Sequence, residues 1–305
     1  LTRRPLYPVS APLFLGRERE YVLDCIDTLE LSWQGPYVNR LEKAFAAFCD
    51  VEYAVACSNG SAALHLALLA AGVGPNDVVI VPAVTYVATA NAVRYCGALP
   101  VFCDIDPKTW CLDPDKFESL LKDPAYFRGY LQLKAVIPVH LYGMPCDMDA
   151  INDIATRYGL IVVEDAAEAH GAIYNGQRVG SLGDVATFSF YGNKILTSGE
   201  GGMVVTNDRG MADRARHYGG QGMSVDRRYY HDVVGYNYRI TNIEAAIALA
   251  QLEKYPELAE RRRLVVETYK EEFRDYIYQE KTKGADAADW MFTVLVDPED
   301  RDDIR

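Results

Sequence analysis

The sequence predicts an α/β protein with a mainly parallel mixed sheet flanked by helices, followed by a smaller α+β domain. Three observations predict it. From about Glu52 to Asn207, short apolar runs rich in β-branched residues alternate with helical patterns. The runs are nearly continuous rather than alternating, as expected for strands buried on both faces. After Asn207 the pattern turns helical and charged, with one late strand candidate.

In order, YAVAC, VVIVP, LPVFCDI, AVIPVH and IVVEDA read as buried strands. Ser61 to Ala71 is apolar almost all round, which marks a helix covered on most sides. Further helices are expected over Tyr86 to Tyr95 and after Asp147. Two shorter runs, ATFSFY and GMVVT, flank the polar, glycine-rich GNKILTSGEG. Asn242 to Lys254 reads as an amphipathic helix running into Pro256, with another over Pro256 to Phe273. Trp290 to Val296 reads as a strand opening the second domain. One strand cannot bury a core, so residues 1–250 are expected to form the large domain with an N-terminal arm. Residues 251–305 are expected to start a small domain that is truncated.

Composition narrows the function classes. The 305 residues are 50% hydrophobic and 24% charged, with a formal net charge of -12. An acidic surface repels phosphate backbones, which disfavours nucleic acid but leaves room for a locally positive pocket. The longest apolar runs are short and interrupted, as at Pro82, so no membrane span is expected. The opening LTRRPLYPVSAPLFLG lacks a continuous apolar stretch of signal-peptide length. The seven cysteines show no CxxC spacing and read as buried free thiols of a cytoplasmic protein.

Four segments carry candidate chemistry. The first, Cys57-Ser58-Asn59-Gly60-Ser61-Ala62, starts a helix after a strand, where free N–H groups and the helix dipole suit a phosphate. Taken alone, it reads better as an ordinary N-cap. The second, Val163 to Gly171, ends an apolar strand in Glu164 and Asp165, where open α/β sheets bind ligands. A carboxylate there can pair with a protonated pyridine nitrogen, at about 4 kcal/mol for 4 Å and an effective dielectric near 20, before desolvation. A capping role and a metal site of Glu164, Asp165, Glu168 and His170 are competing readings. No second ligand cluster supports the metal. The third, Phe188-Ser189-Phe190-Tyr191-Gly192-Asn193-Lys194, places a lysine between a strand and a glycine-rich turn. Lysine forms imines with carbonyls only from its neutral amine. The fourth, Gly219 to Arg239, mixes glycine, arginine and tyrosine in a long loop. Arginine suits diphosphates and tyrosine can stack on a base.

Laid out in order, these segments resemble the sugar-nucleotide aminotransferases of the DegT type, a family of pyridoxal 5'-phosphate (PLP) enzymes of fold type I. The blocks that carry the resemblance include SWQGPYVNRLEKAFAAF, PVHLYG, EDAAEAHGA, FSFYGNK, TSGEGGMV and GYNYRITNIEAAIALAQLEK. The resemblance implies that Lys194 is the imine-forming lysine and that Asp165 partners the pyridine nitrogen. It places Glu168 near the cofactor's phenolic oxygen, where many relatives have glutamine. Gly60, Ser61 and Ser189 would hold the phosphate, Tyr86 would stack on the ring, and Asn237 would reach a phosphate across a homodimer interface. Arg228 and Tyr229 are candidates for the nucleotide-sugar. The implied reaction passes an amino group from glutamate to carbon 4 of a nucleotide-linked 4-keto-6-deoxy sugar, with pyridoxamine phosphate as the intermediate form. A dTDP- or UDP-linked sugar, or a non-catalytic binder on the same fold, are the alternatives. A binder need not retain Lys194. A dinucleotide-binding dehydrogenase lacks support because no GxGxxG follows a strand.

Overall fold

The computed structural model describes residues 10–123, 131–224 and 226–301. Most of the prolines and arginines of the N-terminal arm, and the end of the final charged segment, lie outside them.

The chain opens with α1 (Glu18–Asp27) and α2 (Pro36–Phe48), then alternates β1 (Tyr53–Cys57), α3 (Gly60–Ala70), β2 (Asp77–Pro82), α4 (Ala88–Tyr95) and β3 (Leu99–Cys103). There follow α5 (Pro114–Lys122), β4 (Gln132–Val136), α6 (Met148–Tyr158) and β5 (Ile161–Asp165). A small hairpin, β6 (Ile173–Tyr174) and β7 (Gln177–Arg178), precedes β8 (Val185–Ser189) and β9 (Gly202–Thr206). Three helices close the series: α7 (Arg209–Gly219), α8 (Asn242–Glu253) and α9 (Tyr255–Glu272). Last come β10 (Ile277–Tyr278), β11 (Ala285–Asp286) and β12 (Val294–Leu295).

Seven strands form one sheet in the order β1-β9-β8-β5-β4-β2-β3. All pairings are parallel except those of β9, which runs against both β8 and β1. Six strands therefore send their carboxyl ends to the same edge, and β9 brings its amino end there. That edge collects the starts of the loops after β1, β2, β4, β5 and β8, and with them three of the four segments singled out for chemistry.

Local sequence explains the helices that border this edge. Asn59 caps α3 by accepting the Ala62 N–H at 2.8 Å, and Asp147 caps α6 through the Ala150 N–H at 3.2 Å. Thr241 and Glu244 form a capping box on α8. Pro256 sits in the first turn of α9, where its missing N–H costs nothing, so the proline separates two helices. Helix α3 is buried on nearly every side, from Ala62 to Ala70, as its apolar sequence predicts. On the other face, Phe45, Phe188 and Phe190 meet edge to face with centroids 5.0 and 5.4 Å apart.

AVIPVH follows the sheet to its end: β4 spans Gln132–Val136, the Ile137 N–H donates to the Ile80 carbonyl at 2.8 Å, and Val139 bridges Asp165 in parallel. One expectation needs correction. Trp290 to Val296 is not a strand along its length: only Val294–Leu295 pairs, antiparallel with β10. Among the described residues no helix is long and apolar enough to cross a membrane. All seven cysteines are free and buried.

Candidate active site

A cavity of about 530 Å³ opens at the carboxyl edge, lined by Gly60, Ser61, Tyr86, Asp165, Glu168, Ser189 and Lys194, with Asn59, Asn193 and Trp290 among its other walls. Three loops, two strand ends and the start of one helix thus bring together seven residues expected from sequence. Asn237, Arg228 and Tyr229 do not line it. The Asn237 side chain accepts from Arg239 Nη2 at 2.8 Å, and Tyr229 is exposed with Arg228 stacked 5.0 Å above its ring.

Lys194 Nζ lies 3.6 Å from Glu168 Oε1. Burial pushes the amine below its ordinary value, while Glu168 and then Asp165 pull it back up. Burial likewise raises Glu168, against the pull of Lys194 and the Tyr142 N–H. Both members of the pair are thus driven towards neutrality by the dry cleft more strongly than they are held charged by each other. A neutral amine is the reactive form of lysine. Glu168 is fixed by the Tyr142 N–H, which donates to Oε2 at 2.7 Å.

Asp165, at the end of β5, is buried, and burial raises its carboxyl above the ordinary range. Thr89 Oγ1 donates to Oδ2 at 2.8 Å and the Ala167 N–H to Oδ1 at 3.3 Å, both favouring the ionised form. Its neighbour Glu164 points to the other face of the strand and accepts the N–H groups of Gly180, Leu182 and Gly183. Glu164 also meets His140 Nε2 at 3.0 Å. Because His140 Nδ1 accepts the Cys146 N–H, Nε2 carries the proton and donates to Glu164. This alternation separates a structural acid from a cavity acid. No group of three or more His, Cys, Asp or Glu among the described residues is placed to hold a metal.

The end of the cavity at the start of α3 depends on close backbone approach. A Cβ on Gly60 would fall 2.7 Å from Ser189 Cβ, and one on Gly202 only 2.5 Å from the Asn59 carbonyl oxygen. Glycine at both positions lets the N-terminus of α3 sit directly against β8 and β9. Tyr86 stands 73% exposed at the mouth, an aromatic face free to cover a planar ligand.

His170 lies behind this wall, its ring tilted against Phe188 at 5.3 Å, with both ring nitrogens buried and without a hydrogen-bond partner. Burial lowers its pKa to about 3. The unfolded chain takes up a proton near 6.5 that the folded chain refuses, so this histidine makes stability fall as pH drops from 6.5 towards 3. The buried acids act in the opposite sense, so the effect is read by difference. Urea unfolding is expected to show the parent losing on the order of 3 kcal/mol more than His170→Leu between pH 6.5 and 4. Equal losses would contradict a buried neutral histidine.

The residues fit PLP. A small-residue helix start suits its phosphate, a buried acid its ring nitrogen, and an amine pushed towards neutrality its aldehyde carbon. Asn193 Oδ1, buried at the cavity without a partner, leaves polar capacity unspent. Fold and site define a PLP-dependent aminotransferase of fold type I.

Comparison with known proteins narrows the class. The profile of the DegT/DnrJ/EryC1/StrS aminotransferase family matches residues 15–305, and the chain belongs to that family. It is 55% identical over 262 residues to a GDP-perosamine synthase of Caulobacter vibrioides, covering 86% of this chain and 68% of that protein. A GDP-perosamine synthase of Escherichia coli O157:H7 is 45% identical over 300 residues, covering 98% of this chain and 80% of its own length. A crystal structure of a family aminotransferase from Brucella abortus superposes with a TM-score of 0.88 at 32% identity, covering 93% of this chain and 76% of that one.

Sequence reasoning missed Thr89, Trp290 and Asn193 as parts of the site. Thr89 is buried in the first turn of α4, and its partner Asp165 is 76 residues away, so nothing local marks it. The same holds for Trp290, whose partner Asn193 is 97 residues away.

Proposed function

We propose that this enzyme transfers an amino group from glutamate to carbon 4 of GDP-4-keto-6-deoxymannose, giving GDP-perosamine. The 55% identity to a GDP-perosamine synthase across 86% of the chain carries this reading. When bound, PLP supplies the aldehyde that carries the amino group and the ring that draws electrons from the reacting carbon. Lys194 would hold the cofactor's aldehyde carbon and, as a free amine, would take and return the proton at the substrate carbon. Asp165 keeps the ring nitrogen protonated, with Thr89 holding its carboxylate in place. Gly60, Ser61 and Ser189 hold the phosphate, Tyr86 covers the ring, and Glu168 faces the phenolic oxygen.

The loop from Gly219 to Arg239 completes the site in a homodimer. Asn237 lies outside the single-chain cavity, which agrees with its acting on a partner's phosphate, and we assign Arg228 and Tyr229 to the nucleotide of the same shared site. We place the enzyme in the cytoplasm, in the synthesis of O-antigen or a related polysaccharide, and divide it at about residue 250 into a large and a small domain.

Incubation with PLP, glutamate and a panel of GDP-, dTDP- and UDP-linked 4-keto sugars tests the substrate. Amination of the GDP sugar with production of 2-oxoglutarate is expected. If only a dTDP or UDP sugar is aminated, the perosamine reading fails and the family assignment stands.

A further inference from the structure

Nothing in the reaction scheme above uses Trp290, yet it is the aromatic side chain beneath the lysine. Lys194 Nζ sits 4.1 Å from the centroid of the indole ring, within the range of a cation–π contact. Trp290 is buried, and its Nε1–H donates to the Asn193 carbonyl at 2.8 Å, the peptide immediately before the lysine. Ser10 Oγ donates to the same carbonyl at 3.2 Å. Arg262 links the two donors, giving one N–H to Ser10 Oγ at 2.6 Å and another to the Trp290 carbonyl at 3.3 Å. On the opposite side the indole stacks on Tyr142, whose backbone N–H fixes Glu168. A flat aromatic face, oriented by its own hydrogen bond, therefore meets Nζ opposite a carboxylate.

We propose that Trp290 is a positioning residue for Lys194. Its indole face is the seat of the lysine ammonium whenever Nζ is not covalently engaged, and its Nε1–H fixes that seat by holding the Asn193 carbonyl. The proposal rests on the reading of Lys194 as the cofactor lysine. In each half-reaction Nζ is freed as an amine and becomes an ammonium on accepting one proton from the substrate carbon. A charge formed in a buried cleft needs a place to wait, and the negative face of the indole provides one beside Glu168. Glu168 and Asp165 also favour the ammonium, buried neutral His170 lies behind, and Glu200 lines the same cavity. Trp290 adds to their field and sets where the ammonium lies.

The test titrates Lys194 in the full chain freed of cofactor, by its rate of modification with trinitrobenzenesulfonate across pH and peptide mapping. Trp290→Leu, which keeps the site dry, is expected to lower the midpoint by about half to one unit, a three- to tenfold drop in the ammonium-to-amine ratio. Trp290→Phe retains a weaker face and is expected to move the midpoint by less than half as much. Simple loosening of the structure would raise the midpoint instead, because water would relieve the burial that lowers it. Equal midpoints in the parent and Trp290→Leu overturn the proposal. Equal drops in both variants overturn it too, because the lost Nε1–H would then be the cause. If the leucine variant does not fold, Trp290→Met is expected to show the leucine result. Borohydride labelling of the parent is read separately: label on Lys194 with an unmoved midpoint sinks the seat alone.

Discussion

Lys194→Ala is expected to lower amino transfer by at least ~10³-fold while the protein keeps its fold. The amine is both the attachment point and the group that moves the proton, so no neighbour replaces it. Glu168 accepts a backbone N–H rather than presenting a free basic group, and Asp165 is engaged by Thr89. Folding should tolerate the change. Lys194 makes one ion pair, at 3.6 Å, and burial already raises Glu168, so the acid left behind can take up a proton instead of remaining an unpaired charge. Product formation followed by chromatography, with circular dichroism of the same samples, checks both halves. Activity within tenfold of the parent would sink the mechanism.

Asp165→Asn is expected to be the next most damaging change. It keeps the shape and most hydrogen-bonding capacity at the end of β5 but removes the charge that would hold the ring nitrogen protonated. With an attraction of about 4 kcal/mol at an effective dielectric near 20, the loss should approach ~10³-fold in kcat/KM, less whatever desolvation of the acid already costs. Thr89→Val supplies the graded comparison. It leaves the carboxylate but removes the 2.8 Å hydrogen bond to Oδ2, and should cost about tenfold. If Asp165→Asn and Thr89→Val fall equally, the acid acts through packing rather than charge.

The parts of the site legible in the sequence are those written within one segment. Gly60 and Ser61 begin a helix, Asp165 ends a strand, and Lys194 follows one, so each position follows from local patterning and the rule that parallel strands share a carboxyl edge. The antiparallel course of β9 was not legible, because GMVVT is equally apolar in either direction. It matters, since that reversal brings Gly202 against the Asn59 carbonyl at the start of α3. Nor could the sequence reveal which of Glu164 and Asp165 faces the cavity. Alternation separates the two, but the three N–H groups that claim Glu164 come from residues 180–183, reached only through the fold. Trp290 to Val296 pairs only over Val294–Leu295, and nothing in its apolar pattern marks the residues that stay outside the ladder.

Reduction with borohydride tests the central claim most directly. The full chain loaded with PLP should show an absorbance band of a protonated imine that borohydride removes, and peptide mapping should find the resulting pyridoxyl label on Lys194. Label on another lysine, or no label at all, would contradict the assignment of this site.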